Sequence, residues 1–121
     1  MAIPILEQGR VLIASLPADG ADRALSQLQS DVLERVSRHR VSGVVLDVSA
    51  VEVMDSFSVR TLRTIAGAVR LCGALPVIAG IQPEVAFAMT QLGLDLRGVS
   101  TALDLDDAMV ELDHASGHGH G

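Results

Sequence analysis

The stretch from Val44 to Val48 constrains the fold more than any other part of the chain. Val44, Val45 and Leu46 are apolar in consecutive positions, so a strand built from them presents apolar side chains to both sides of a sheet. Such a strand is stable only between covering layers, which is typical of a parallel sheet with helices packed against it. We therefore predict that this stretch is the central strand of an α/β domain.

Strand and helix patterns alternate along the rest of the chain. Apolar runs parted by Gln8-Gly9 predict a strand pair, and apolar residues at helical spacing predict amphipathic helices. This alternation predicts an α/β fold with a small mixed β-sheet, whose parallel central strands pack against helices. The predicted strands are Ile3 to Leu6, Val11 to Ser15, Val44 to Val48, Leu75 to Ala79 and Val99 to Thr101, and the predicted helices cover 21–39, 59–69 with a start near Ser56, 83–92 and 104–113.

The length of 121 residues fits one domain with its own core. We place this domain at residues 1–113 and predict that the polar, glycine-rich segment 114–121 is a flexible tail. The tail contains His114, His118 and His120, but a flexible segment has no preorganised metal geometry. We therefore predict no metal site and no cofactor.

Charge and composition exclude several classes of function. The net charge is −6, no lysine is present, and residues 71–121 hold seven acids against the single Arg97, which argues against a nucleic-acid partner. The N-terminus lacks the features of a signal peptide, and Arg70 and Pro76 interrupt the most apolar run, so we expect a cytoplasmic protein without a membrane span. The single Cys72 is expected to be buried. A mean hydropathy of +0.40 favours self-association.

Ser56 lies where the central strand gives way to the next helix, close to the free N–H groups of that helix. Ser56 or Ser58 is therefore a candidate helix cap, since serine is a preferred residue there. The alternative is that Ser56 receives a phosphoryl group, which a helix N-terminus tolerates electrostatically. The added charge beside Asp55 and near Glu52 would then change the surface that a partner meets.

Catalysis by Ser56 is not supported by the residues around it. His39 ends a different predicted helix, so the sequence places no general base beside the serine. The flanking glycines of a nucleophile elbow are also absent. We therefore expect a protein that is not an enzyme.

Arginines line one side of the helix that follows Ser56. Arg60, Arg63 and Arg70 fall on one stripe of the helix, with Gly67 between them. The stripe is either an ordinary solvated face or a docking face for an acidic partner or a neighbouring subunit. The acids of the C-terminal segment are one source of such a surface in a neighbour: Asp104, Asp106, Asp107, Glu111 and Asp113.

The segment VVLDVSAVEVMDSFSVRTL, from Val44 to Leu62, resembles the strand, loop and phosphoserine helix of STAS domains, the anti-sigma factor antagonist fold. Within that family the chain looks like the RsbS type, a stressosome scaffold and antagonist. The motifs that carry this likeness are IPIL at 3–6, DSF at 55–57, GIQPEVA at 80–86 and TALDLD at 101–106.

The resemblance implies a function for Ser56, the serine that follows Asp55. In this family an RsbT-type serine kinase is held by the unmodified scaffold, phosphorylates it under stress and is released, and a serine phosphatase resets the system. RsbR-type co-scaffolds carry an extra N-terminal sensor domain, and this chain starts at its first strand, which favours the RsbS type. We expect Ser56 as the target, with Ser58 a weaker candidate, and Asp55, Phe57, Arg60 and Arg63 as partner-binding residues.

Two other functions remain open from the sequence. The chain is alternatively a stand-alone anti-sigma factor antagonist, although Phe57 and Ser58 stand where that type has a small residue and glycine. It is alternatively a purely structural subunit of an oligomer, in which Ser56 is only a helix cap. The scaffold hypothesis predicts entry into a large complex with RsbR-type partners, whereas a stand-alone antagonist stays small.

Overall fold

The computed structural model describes residues 3–19, 22–96 and 98–118. Strands and helices alternate along these residues, which confirms the predicted α/β fold. In chain order the elements are β1 (Ile5–Gln8), β2 (Val11–Ser15), α1 (Asp22–Arg38), β3 (Gly43–Asp47), α2 (Ser56–Leu71), β4 (Leu75–Ala79), α3 (Pro83–Gln91), β5 (Ser100–Ala102) and α4 (Leu105–His118).

The five strands form one sheet in sequential order, β1-β2-β3-β4-β5. β1 and β2 are antiparallel, and every later pair is parallel, so β3 is the central strand as predicted. The register pairs Gln8 with Val11, which leaves a two-residue hairpin loop. Gly9 occupies the first loop position with φ +62°, a conformation that favours glycine. Because of this loop, β1 begins and ends two residues later than the predicted strand, Ile3 to Leu6.

The sequential strand order decides where the helices lie. Parallel strands are joined by right-handed crossovers, so three successive crossovers in one direction place α1, α2 and α3 on the same face of the sheet. Residues of these three helices share one hydrophobic core. The opposite face is covered by α4, which packs against β3, β4 and β5.

Both faces of β3 are buried, as its apolar run predicts. Val44 and Leu46 contribute to the core beneath α1, α2 and α3, whereas Val45 belongs to the core beneath α4. At Gly43 the α4 helix comes so close that an added Cβ would lie 2.8 Å from the Leu112 side chain. The close packing of Leu112 therefore depends on a glycine in the central strand.

The end of α4 differs from the sequence prediction. The helix continues to His118, whereas the sequence predicts its end at Asp113. No proline interrupts 105–118, and an established helix extends with one hydrogen bond per added residue, so Gly117 alone does not stop it. The remaining predicted tail, including His120, lies outside the described residues.

The prediction of a buried Cys72 is wrong. Cys72 is exposed because it follows the last residue of α2, where the chain turns away from the core. The adjacent Leu71 is also exposed, with 91% of its surface accessible. A cysteine between Leu71 and Gly73 resembles a core position in sequence, but the helix end points it to solvent.

Candidate functional site

The loop between β3 and α2, residues 48–55, lies at the carboxyl end of the parallel strands, where open α/β sheets commonly carry their sites. Two neighbouring loops hold it in place. The backbone N–H of Glu52 donates to the carbonyl oxygen of Ala18 at 3.3 Å. On the other side, the Gln82 side chain donates to the carbonyl oxygen of Ser49 at 2.8 Å. The start of α2 is therefore held by both flanking crossovers.

A close backbone approach supports the same junction. Gly80 has φ +80°, and a Cβ added there would lie 2.8 Å from the Cβ of Ser49. Only glycine accommodates both the turn and this approach without displacing the loop. The segment that begins α3 and the loop that precedes Ser56 are thus fixed against each other.

Asp55 caps α2, and this corrects the prediction that Ser56 or Ser58 is the cap. Asp55 has extended backbone angles, and its Oδ1 accepts a hydrogen bond from the backbone N–H of Ser58 at 2.8 Å. Ser56 is the first helical residue, one position too late for a capping side chain. The Asp55 carboxylate therefore caps the start of α2, and the Ser56 hydroxyl is not needed for capping.

The same hydrogen bonds affect the charge of Asp55. The backbone N–H of Ser58, aided by the Ser58 hydroxyl, holds the pKa of the Asp55 carboxyl below its ordinary value. The positive charge of Arg60 acts in the same direction with a smaller effect. Asp55 is accordingly ionised at neutral pH, and a negative charge stands beside Ser56 before any modification.

Ser56 and Ser58 differ in accessibility although they lie two residues apart. Ser56 is exposed, and its hydroxyl makes no hydrogen bond within the described residues. Ser58 retains only 5% of its surface exposed and faces the core side of the helix. A modifying enzyme can therefore reach the Ser56 hydroxyl, while Ser58 is shielded.

Apolar side chains flank the exposed serine. Val53 is 71% exposed and Phe57 is 38% exposed, whereas Met54 between them is buried and anchors the loop. Exposed apolar groups beside a rigid loop are typical of protein contact surfaces. The surroundings of Ser56 thus combine one free hydroxyl, one fixed carboxylate and an apolar rim.

The arginine stripe predicted from the sequence is present on α2. Arg60, Arg63 and Arg70 line an open groove of about 540 Å³ between α2 and the segment that begins β5, with Gly67 on its floor. Among the described residues, no carboxylate lies within ion-pair distance of any of the three guanidinium groups. Arg60 lies four residues after Ser56, so the stripe and the serine share one side of the helix.

The structure does not bring the other candidate features of the sequence to Ser56. His39 follows the end of α1, and the structure assigns it no bond to Ser56. The described part of the chain holds no cluster of three or more His, Cys, Asp or Glu residues with metal-binding geometry. Within the same residues, none of the helices combines the length and apolar character that crossing a membrane requires.

Sequence reasoning missed two contributors to this site. The sequence prediction places Asp55 on the partner surface and not at the cap. Aspartate is nevertheless one of the preferred residues at the start of a helix, so its type and position could have identified it as the cap. Gln82 is not a candidate site residue in the sequence, where it stands only within the motif GIQPEVA. Its bond to Ser49 joins residues 33 positions apart, and no local pattern predicts such a contact.

A sequence model of the STAS domain family matches residues 2–108, and the chain therefore belongs to the STAS family. The family predicted from the motifs around Ser56 is confirmed. Among curated proteins, the RsbT co-antagonist protein RsbRA of Bacillus subtilis is 32% identical and covers 89% of this chain. The chain spans 42% of the length of RsbRA.

Solved structures give the same fold. A Moorella thermoacetica RsbS variant, with one serine replaced by glutamate, is 33% identical, covers 94% of this chain and 97% of its own, and has a TM-score of 0.83. A chain from the molecular architecture of the stressosome is 34% identical, with 93% and 98% coverage and a TM-score of 0.80. The five-stranded, mostly parallel sheet with four helices is thus the STAS fold of stressosome components.

Proposed function

We propose that this protein is a non-catalytic scaffold of a stressosome. In its unmodified state it sequesters an RsbT-type serine kinase, and phosphorylation of Ser56 releases that kinase. An RsbR-type STAS protein is its co-scaffold, a serine phosphatase restores the unmodified state, and the complex is cytoplasmic. The protein needs no cofactor for this function, because the kinase supplies the chemistry.

The observation that carries this proposal is the free hydroxyl of Ser56 on a capped helix. Because Asp55 provides the cap, Ser56 has no structural bond to lose when it is modified. The first turn of α2 contains no acidic residue, so its N–H groups and dipole can face a phosphate. Phosphorylation at this position would therefore leave the fold intact.

The expected switch is electrostatic. A phosphoserine adds about −1.5 to −2 charges at neutral pH, next to the ionised Asp55 and near Glu52. Arg60, one helical turn away, offsets only part of this charge. A partner that binds the unmodified surface would meet concentrated negative charge, and a difference of about 3 kcal/mol would weaken its binding more than a hundredfold.

The proposed kinase-binding surface surrounds Ser56. Asp55, Phe57 and Arg60 lie within one turn of it, and the exposed Val53 extends the apolar part of the surface. Arg63 lies a further turn along α2, which places it at the edge of this surface. In this proposal Arg63 is a partner-binding residue.

The comparisons support this assignment in different degrees. The likeness to RsbS and to a stressosome chain covers nearly the whole domain. RsbRA is named a co-antagonist of RsbT, which supports an RsbT-type protein as a partner. The identity to RsbRA, 32%, is close to the 33% with RsbS, so the choice of the RsbS type rests on the predicted role of Ser56.

The two rival functions have less support. The anti-sigma factor antagonist SpoIIAA has a TM-score of 0.76 at 13% identity, a likeness that concerns the fold alone. A purely structural subunit with Ser56 as a cap conflicts with the observed cap at Asp55. Mixing the protein with an RsbR-type co-scaffold separates scaffold from stand-alone antagonist, because only a scaffold enters megadalton particles.

The proposal is tested by incubating the protein with an RsbT-type kinase, Mg²⁺ and ATP, followed by intact-mass and peptide mass spectrometry. The expected result is one phosphate on Ser56, absent from Ser56→Ala and retained in the matched Ser58→Ala variant. Kinase binding is followed in the same samples, and the phosphorylated protein is expected to release it while Ser56→Ala holds it. A phosphate on Ser58, or kinase release from Ser56→Ala on addition of ATP, contradicts the proposal.

A further inference from the structure

Gly67 occupies an unusual place in the middle of α2. A glycine inside a helix is destabilising relative to alanine, because it loses more backbone freedom on folding. Gly67 is exposed, and no described residue outside its own helix backbone lies within 4 Å of the position that a Cβ would take. Packing within this chain therefore gives no reason for the missing side chain. The glycine instead leaves a gap on the floor of the arginine groove, where another molecule can approach the helix backbone.

The charges of α2 and α4 are segregated. α2 contains Arg60, Arg63 and Arg70 and no acid, whereas α4 contains acids and no lysine or arginine. The core side of α4 packs Ala108 and Leu112 against the sheet. The opposite, exposed side carries three residues in a row along the helix: Asp106, Val110 and Asp113.

The spacing of these residues matches that of the groove. Arg63, Gly67 and Arg70 stand at positions i, i+4 and i+7 of α2, and Asp106, Val110 and Asp113 stand at positions i, i+4 and i+7 of α4. In each helix the two charged residues are seven positions apart, which is about 10.5 Å along the axis. At the middle position α4 has the exposed Val110, 58% of whose surface is accessible, whereas α2 has Gly67, which lacks a side chain.

We propose that the groove over Gly67 binds the exposed side of α4 from a second copy of this chain. Val110 of the second copy lies over Gly67. Asp106 and Asp113 of the second copy pair with Arg63 and Arg70. The residue order matches when the helices run in the same direction, with Arg63 opposite Asp106 and Arg70 opposite Asp113.

This contact uses different faces of the two copies. α2 and α4 cover opposite faces of the sheet, so each copy keeps a free groove on one side and a free α4 on the other. Such head-to-tail contacts add further copies until a ring closes or a filament forms. Ser56 lies about 10.5 Å along α2 from Arg63 and outside the contact, so the proposed phosphorylation site stays open.

The inference adds a contact to the proposed scaffold function but does not depend on its kinase. The test uses the protein alone, without kinase or ATP, so its failure is distinguishable from failure of phosphorylation at Ser56. Sedimentation velocity is measured over a concentration series up to about 1 mM, which detects millimolar affinity. We expect concentration-dependent association of the wild-type protein that weakens at least about tenfold when salt shortens the Debye length from about 10 Å to 3 Å.

Two variants separate the halves of the contact. Arg63→Gln with Arg70→Gln disables the groove, and Asp106→Asn with Asp113→Asn disables α4. Each variant alone is expected to remain monomeric. An equimolar mixture is expected to form a dimer and nothing larger, because the intact groove of one variant can bind the intact α4 of the other. The control Arg23→Gln with Arg40→Gln removes the same charge from exposed positions that line neither the groove nor the surface around Asp113, and it is expected to associate like the wild type.

A substitution at Gly67 gives an independent readout. In Gly67→Leu the new side chain meets no atom of its own chain near its Cβ, and leucine is a better helix former than glycine, so we expect a raised Tm. The leucine side chain also fills the groove, so we expect at least a tenfold loss of association. A purely structural role for Gly67 predicts no loss of association. The proposal is overturned if the wild type stays monomeric at about 1 mM, if Gly67→Leu associates normally, or if mixing the two charge variants yields no dimer.

Discussion

The first turns of α2 and α4 begin in the same way and then differ. In both helices an aspartate accepts a hydrogen bond at 2.8 Å from a backbone N–H three residues later. Ser58 donates to Asp55 in α2, and Asp107 donates to Asp104 in α4. The first turn of α4 then carries two further carboxylates, Asp106 and Asp107, whereas the first turn of α2 has none.

The difference shows that a capping aspartate alone does not identify a signalling site. In α4 the positive end of the helix is already compensated by side-chain charge. In α2 that end faces an exposed serine and an apolar rim, so it can receive charge from a modification. What distinguishes the proposed switch is the absence of acids after the cap, together with the exposed hydroxyl of Ser56.

The largest effect is expected when a permanent charge is placed in the first turn of α2. Ser56→Asp should weaken binding of an RsbT-type kinase about a hundredfold, equivalent to about 3 kcal/mol, while Ser56→Ala should bind like the wild type. Isothermal titration calorimetry measures both. Ser37→Asp adds the same charge to the exposed side of α1 and should leave the affinity unchanged. Equal losses from the two aspartate variants would mean that net charge, and not the position, controls binding.

A smaller effect is expected from a substitution in the apolar rim of Ser56, which consists of Val53 and Phe57. Phe57→Ala should reduce kinase affinity about tenfold, or about 1.4 kcal/mol, because a partly exposed aromatic ring loses its contact with the partner. Since Phe57 is 38% exposed, the Tm should change little. Titration calorimetry and a thermal melt of the same sample separate the two effects, and a large drop in Tm with unchanged affinity would assign Phe57 to the core.

The two caps should be equal in stability but different in function. Asp55→Ala and Asp104→Ala should each lower the free energy of unfolding by about 1 kcal/mol, since each leaves a helix N–H without its partner. Urea unfolding measures this loss. Only Asp55→Ala should also alter the rate of the proposed Ser56 phosphorylation, because that carboxylate stands beside the Ser56 hydroxyl. If both variants change the rate alike, the effect comes from general destabilisation.

The smallest effect is expected on the folding stability at acidic pH. Hydrogen bonds from Ser58 lower the pKa of Asp55 in the folded state, so folding is favoured when the carboxyl is ionised. This contribution is fully present above the ordinary aspartate pKa of about 3.9 and is lost as the pH falls through the lower folded value. Asp55→Asn should reduce the slope of stability against pH in this acidic range. An unchanged slope would show that Asp55 does not titrate differently in the folded protein.

The fold was predictable because its signals are local. The apolar run of β3, the helical spacing of α1 and α2, and the glycines after the helices identify most elements within two residues. The end of α4 was missed, since a glycine near a helix end does not always stop it. Register and hairpin position depend on pairing between strands, which shifts β1 relative to its apolar run.

The candidate site was predictable only in part. The position of Ser56 at a helix start follows from the strand-to-helix transition, and the common side of the three arginines follows from helical spacing. The exclusion of Ser58 from the surface required its burial, which depends on how α2 rests on the sheet. The bond from Gln82 to Ser49 joins two loops that only the folded sheet brings together.

The sequential order of the strands has a consequence for synthesis on the ribosome. Each new strand pairs with the strand made before it, so the sheet can grow in the order in which the chain emerges. The covering of its second face must wait, because α4 is made after every strand. Until then Ile13, Val45 and Val77 have no helix above them, and the nascent sheet presents an apolar surface to solvent and chaperones.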